Sequence, residues 1–234
     1  MEYRIWEAVF RVLPDFRRAV VVIRGARNQG PVPELERRFE ELVRGIRDDS
    51  SVDGDPRLLD LEEAFRSMGF NPKRMPPSVV NLVRRIRKGG EIPFVNPLVG
   101  MFNCVSLMGL IPCGGTDLGV VEGDLELRPA VGDEIYVPLG RPDELEHPRE
   151  GEIVYLDSKT RRVFCRCWCW KNGDTSKITQ GTTDCAINVD TLGHLSREEL
   201  SGLASWVAGS AERHLGAEAR IFFLDRDNRS FVMP

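Results

Sequence analysis

Asn103 is the one amide side chain inside the apolar stretch PLVGMFNCVSLMG, from Pro97 to Gly109. A carboxamide offers donors and acceptors together, which suits it to hold an ester or an ammonium group, or simply to tie a helix to a neighbouring loop. Ser106 lies one helical turn later on the same side, and Phe102 precedes Asn103 on the apolar face. Gly114 and Gly115 follow Pro112 and Cys113. Two glycines let backbone N–H groups come close to a ligand, where they could stabilise an oxyanion, or they form a tight turn. Further along, Trp168 and Trp170 alternate with cysteines in RCWCW. On a strand this puts Arg166, Trp168 and Trp170 on one face and Cys165, Cys167 and Cys169 on the other. The indoles could stack on a nucleobase or fill a core. Asn172, Thr175, Ser176, Thr179, Gln180, Thr182 and Thr183 form a polar loop suited to phosphate, ribose or amino-acid recognition, and Asn188 sits in the apolar run CAINVD.

These residues need elements to position them. Asn96 is a good N-cap, Pro97 suits the first helical position and Gly109 the exit, so a helix spans Pro97 to Gly109. Upstream, the branched run Ala19 to Gly25 reads as a buried strand, and Pro33 to Arg47, Leu58 to Met68 and Ser78 to Arg87 read as helices. Asp48 to Asp55 has the composition of an exposed loop. Downstream, strands are expected at Gly119–Val121, Leu125–Arg128, Glu134–Pro138, Glu152–Leu156, Arg162–Trp170 and Asp184–Asp190, followed by a helix from Ser196 to His214 and strands at Ala219–Leu224 and Ser230–Met233. The pattern is α+β: a mixed β-sheet or half-barrel core with flanking helices. No linker divides it, so 1–234 reads as a single domain.

Composition narrows the partners. A net charge of −4 argues against indiscriminate nucleic-acid binding. The charge is uneven, however: Asn71 to Gly90 holds six basic residues and no acid, whereas Thr116 to Asp157 holds twelve acids and three arginines. Arg84, Arg85, Arg87 and Lys88 could therefore grip a phosphate backbone at one place, or form a solvated helix face. No apolar run spans a bilayer and Glu2 stands where a signal peptide carries positive charge, so the expected setting is cytoplasmic, with no membrane partner. The cysteines are not spaced for a metal. Thiolates on one zinc sit within about 4 to 5 Å of each other, whereas alternate strand residues step by roughly 6 to 7 Å. No metal or other cofactor is expected, and His147, His194 and His214 fall in no catalytic pattern.

The two segments IPFVNPLVGMFNCVSLMGLIPCGGTDL (Ile92 to Leu118) and WCWKNGDTSKITQGTTDCAINVDTL (Trp168 to Leu192) together resemble the B3/B4 domain of the bacterial phenylalanyl-tRNA synthetase beta chain, the module that hydrolyses wrongly charged tRNA. The resemblance covers 76–193, leaving 1–75 as an N-terminal α/β elaboration. It implies a free-standing editing domain: a trans-acting aminoacyl-tRNA deacylase that binds the aminoacylated 3′ end of tRNA. Asn103, Gly114 and Gly115 would act at the ester. Phe102, Ser106, Trp168, Trp170, Asn172, Thr179, Thr183 and Asn188 would hold the substrate, and the Arg84–Lys88 cluster the tRNA backbone. In that family a His stands at the position of Gly114, and a Glu that reads the hydroxyl of misacylated tyrosine stands at that of Asn188. A tRNA- or RNA-binding module without catalysis, and an amino-acid-binding protein, are the alternatives.

Overall fold

The computed structural model describes residues 1–234. In chain order the elements are β1 (Glu2–Ile5), α1 (Glu7–Val12), β2 (Arg17–Arg24), α2 (Pro33–Asp48), α3 (Pro56–Ser67), α4 (Ser78–Arg87), α5 (Pro97–Gly109), β3 (Cys113–Asp117), β4 (Leu125–Pro129), β5 (Ile135–Tyr136), β6 (Ile153–Asp157), β7 (Arg162–Arg166), β8 (Lys171–Asn172), β9 (Cys185–Thr191), α6 (Arg197–Leu215), β10 (Glu218–Leu224) and β11 (Ser230–Val232). They form an α+β fold with two sheets. A mixed seven-stranded sheet has the order β11-β1-β4-β6-β7-β5, with β8 on β7; a four-stranded antiparallel sheet has the order β10-β2-β9-β3. One core cluster of 57 buried residues joins them, from Tyr3 to Met233. No helix is long and apolar enough to cross a membrane.

Residues 1–24 belong to both sheets. β1 lies between β11 and β4, and β2 lies between β10 and β9. The six central residues of β2 are all buried, because both of its faces are covered. β2 pairs directly with the 76–193 segment: β9 lies beside it, seven residues in register from Arg17↔Thr191 to Ile23↔Cys185.

The helices begin and end where local chemistry dictates. Asn96 Oδ1 accepts from the Val99 N–H at 3.0 Å and Pro97 opens α5. The exit falls one residue beyond the expected Gly109, on Leu110, which takes up the left-handed conformation at φ 50°. α6 has a reciprocal capping box between Ser196 and Glu199 and closes on Gly216 at φ 63°. Two shorter expectations change: Ser50–Gly54 is a 3-10 turn that buries Val52, and Leu118–Val120 is a 3-10 turn rather than a strand.

The largest local departures fall on the candidate segments. Gly114 and Gly115 are not a turn; they lie inside β3, paired with Asn188 and Ile187. The Arg162–Trp170 strand stops at Arg166. Cys167 and Trp168 then adopt φ of 45° and 49°, and the chain returns as β8, pairing Cys165 with Asn172 and Arg166 with Lys171. Such left-handed pairs normally use Gly or Asn. Here Glu152, wholly buried, holds the turn: its carboxylate accepts two hydrogen bonds from Arg166 at 2.9 Å and one from the Cys167 N–H at 3.2 Å. The expected separation of tryptophans and cysteines onto two strand faces is thereby lost.

Candidate functional site

A cavity of about 420 Å³ opens where α4, α5, β3 and the β7–β8 hairpin meet. That volume lies within the range of small-molecule sites. Its position follows from the register of the smaller sheet. β3 is an edge strand, and Asp190 N–H donates to Pro112 O at 3.0 Å. Antiparallel alternation then makes Gly114↔Asn188 a hydrogen-bonded pair and turns the Gly115 N–H towards the free edge. Side chains alternate likewise. Asn188 faces the larger sheet, where Tyr3 Oη donates to its Oδ1 at 3.0 Å. A Cβ at Gly115 would face α5, 3.4 Å from the Phe102 ring, and one at Gly114 would meet the Asn172 amide at 3.5 Å. Asn103 on α5 and Asn188 on β9 thus come from opposite faces of one sheet, yet line one cavity that wraps around the side-chain-free edge at Gly114 and Gly115.

Four amides line this cavity without a committed NH₂ group: Asn81 at the exposed rim, Asn103, Asn172 and Asn188. Asn81, Asn103 and Asn172 make no side-chain hydrogen bond within the protein, and Asn188 Nδ2 has only the Tyr155 hydroxyl beside it. Amides elsewhere in the interior behave differently. Asn96 caps α5, and Asn28 bridges Leu98 N–H and Thr179 O at 3.0 and 2.7 Å. The cavity amides are therefore free to bond a ligand. Ser106 Oγ also lines the space without a partner in the protein.

The closed end is built from residues that sequence reasoning missed. Arg18, only 1% exposed, forms a bidentate pair with Asp190 at 2.6 and 2.7 Å. It also donates to Tyr3 Oη at 2.6 Å and stacks its guanidinium over the Tyr155 ring. Burial pulls the Arg18 guanidinium towards losing its proton, but the Asp190 and Tyr3 oxygens more than offset this and hold it charged. Burial pushes the Tyr155 phenol well up, and its enclosed hydroxyl has only Tyr3 and the Asn188 amide beside it. An Arg followed by a branched run, and an Asp closing an apolar strand, were the only sequence signals for this pair.

The open end carries charge. Arg85 from α4 is exposed at the rim and Lys171 half-buried, and neither has an ion-pair partner. Arg84 and Arg87 are engaged elsewhere, with Glu62 and with Asp53 and the Arg47 carbonyl, and Lys88 lies outside the cavity. The four-residue basic cluster thus contributes only Arg85.

The aromatic and hydroxyl residues divide similarly. Trp168 is 3% exposed and packs against Phe16 and Phe65, so it is mainly core, with one edge at the cavity. Trp170 is half-buried at the cavity, with the Arg166 guanidinium over its ring. Thr179 and Thr183 do not reach the cavity. Their loop is tied to itself and to the body through Thr182, whose hydroxyl donates to Asp117 at 2.6 Å. All six cysteines are buried, and burial raises the thiols of Cys104 and Cys165 to about 12. No group of three or more His, Cys, Asp or Glu side chains is arranged to hold a metal ion.

The B3/4 domain family model matches residues 60–209, which is 150 of the 234 residues, and the chain belongs to that family. Among solved structures, an N-terminal fragment of the phenylalanyl-tRNA synthetase beta-subunit from Pyrococcus horikoshii is similar over 92% of this chain and 49% of that chain, at 12% identity and a TM-score of 0.46. The chain spans about half the length of that fragment. No curated protein matches.

Proposed function

We propose that the protein is a trans-acting aminoacyl-tRNA deacylase that takes the aminoacylated 3′ end of tRNA into the cavity beside β3. The observation that carries this reading is the set of uncommitted amides, Asn81, Asn103, Asn172 and Asn188, around one cavity in a B3/4 domain. In this reading the aminoacyl side chain points to the closed end and the terminal adenosine lies at the rim. There Trp170 offers aromatic surface and Arg85 and Lys171 offer charge to phosphate.

The chemistry asked of the site is modest. A water oxygen attacks the ester carbonyl carbon, the carbonyl oxygen becomes an oxyanion, and the bond to the ribose oxygen breaks as that oxygen regains a proton. The edge-facing Gly115 N–H and the Asn103 amide are suited to receive the oxyanion. Rate then comes from orientation and donor placement rather than from a dedicated nucleophile.

A second reading, a tRNA-binding module without hydrolysis, is favoured by one feature. The only carboxylate at the cavity, Asp190, is committed to Arg18, and no histidine lines it. Deacylation assays against a panel of mischarged tRNAs, with intact protein and Asn103→Ala side by side, separate the two. Release that Asn103→Ala impairs supports the deacylase. Binding of tRNA ends without release by either protein leaves the binding module.

A further inference from the structure

The closed end of the cavity has a hydrogen-bonding polarity that the protein itself fixes. Arginine can only donate, so at the 2.6 Å contact with Arg18 Nη1 the Tyr3 hydroxyl must accept. Its own proton is then free to go to Asn188, 3.0 Å away, and only the amide oxygen can take it. The Asn188 amide is thereby held with its oxygen turned to Tyr3 and its NH₂ group towards the Tyr155 hydroxyl and the cavity, leaving one N–H for a ligand. Arg18 cannot relax this arrangement, because Asp190 clamps it bidentately and all three side chains are at least nine-tenths buried. Tyr3 and Arg18 lie outside the family-matched segment 60–209 and reach Asn188 through β1 and β2.

We propose that the Arg18–Tyr3–Asn188 relay makes the closed end a donor site, selecting aminoacyl side chains that end in a hydrogen-bond-accepting oxygen over apolar side chains of the same shape. The proposal rests on the reading that this cavity receives an aminoacyl group. Asn188 is the specificity-determining residue; Tyr3 and Arg18 are positioning residues that act through it. An apolar side chain in that place would bury the cavity-facing Asn188 N–H with nothing to bond, which is the situation in which sites discriminate strongly.

The test uses the intact protein and adenosine carrying an amino acid through a non-hydrolysable 3′-amide. Three near-isosteric pairs are compared by calorimetry: Asn with Leu, Thr with Val, and Gln with Met. The oxygen-bearing member is expected to bind at least about tenfold more tightly in the pair that fits. The preference should vanish in Asn188→Leu and fall in Tyr3→Phe, which unpins the amide. Asn188→Asp, which turns the site into an acceptor, should favour an ammonium-bearing ligand instead. Melting temperatures accompany each variant, and the selectivity ratio is the readout that a merely structural role would not move. Pair ratios within twofold of one in the intact protein, or unchanged in Asn188→Leu, would overturn the proposal while leaving adenosine binding intact. If no adenosine ligand binds, the deacylase reading falls. The same pairs, as free amino-acid amides followed by NMR, then decide the proposal alone. Preference for the oxygen-bearing member upholds it, and equal binding or none overturns it.

Discussion

Gly114 and Asn188 are register partners, directly opposite each other across β3 and β9. They are also the two positions at which the resemblance drawn from sequence expects a His and a Glu. In this chain a hydrogen and a neutral amide face each other at the pair. The Asn172 amide approaches the side-chain-free Gly114, 3.5 Å from the position of a Cβ.

Introducing that His and Glu should reveal their interaction. Asn188→Glu alone would bury a carboxylate among Tyr3 and Tyr155 and destabilise the fold, whereas adding Gly114→His opposite it supplies a partner. The double variant should be more stable than the sum of the singles by about 1 kcal/mol or more, read from a urea-denaturation cycle. Additivity within about 0.3 kcal/mol would show that the two positions do not interact.

Asn103→Ala should separate activity from stability. Its side chain bonds nothing in the protein, so the melting temperature should hold while deacylation falls by roughly one to two orders of magnitude. Asn96→Ala removes the α5 cap and should instead cost about 1 kcal/mol of stability. A large stability loss in Asn103→Ala would mean that its amide is structural after all.

The basic residues should not be equivalent. Arg85→Glu and Lys171→Glu are expected to weaken tRNA binding and lower its salt slope by about one unit for each phosphate no longer neutralised. Arg84→Glu and Arg87→Glu, at residues already paired with Glu62 and Asp53, should change it less. Titrations at several salt concentrations check this, and equal effects at all four positions would place the phosphate backbone along the whole of α4.

The Arg18–Asp190 pair should be expensive to break. Asp190→Ala leaves a buried guanidinium without its carboxylate and should cost about 3 to 5 kcal/mol by denaturant titration. The paired replacement Arg18→Met with Asp190→Leu removes both charges and should recover much of that loss. No recovery would show that Tyr3 and the hydrogen bonds, rather than charge, hold the arrangement.

Alkaline pH should weaken the fold. Burial holds the thiols of Cys104 and Cys165 at about 12, above the ordinary value of 9.0. The unfolded chain therefore loses these protons first, so their contribution is full below pH 9 and is lost as pH rises towards 12. Denaturation midpoints should fall across that window, and thiol reagents should label the cysteines only on unfolding. Rapid labelling of the native state at about pH 8 would contradict the burial of the thiols.

Much of the framework was legible in the sequence because its causes are local. The cap at Asn96, the proline at Pro97, the apolar period of α2 and α4 and the branched run of β2 act within a few residues of themselves. The amides Asn103, Asn172 and Asn188 and the glycine pair were likewise visible as residue types in unusual company. What those groups do was decided only by tertiary structure. Whether an amide is free or committed, or an arginine available or paired, depends on what lies across the fold. Asn188 meets Tyr3 from 185 positions away, and Asp190 meets Arg18 from 172. Gly114 and Gly115 have the composition of a turn, yet pairing with β9 draws them into an edge strand. Trp168 looks like a stacking surface, yet a buried Glu152 bends its strand and turns it into the core. Local propensity is weak beside the free energy of satisfying buried polar groups, and that satisfaction is a property of distant partners.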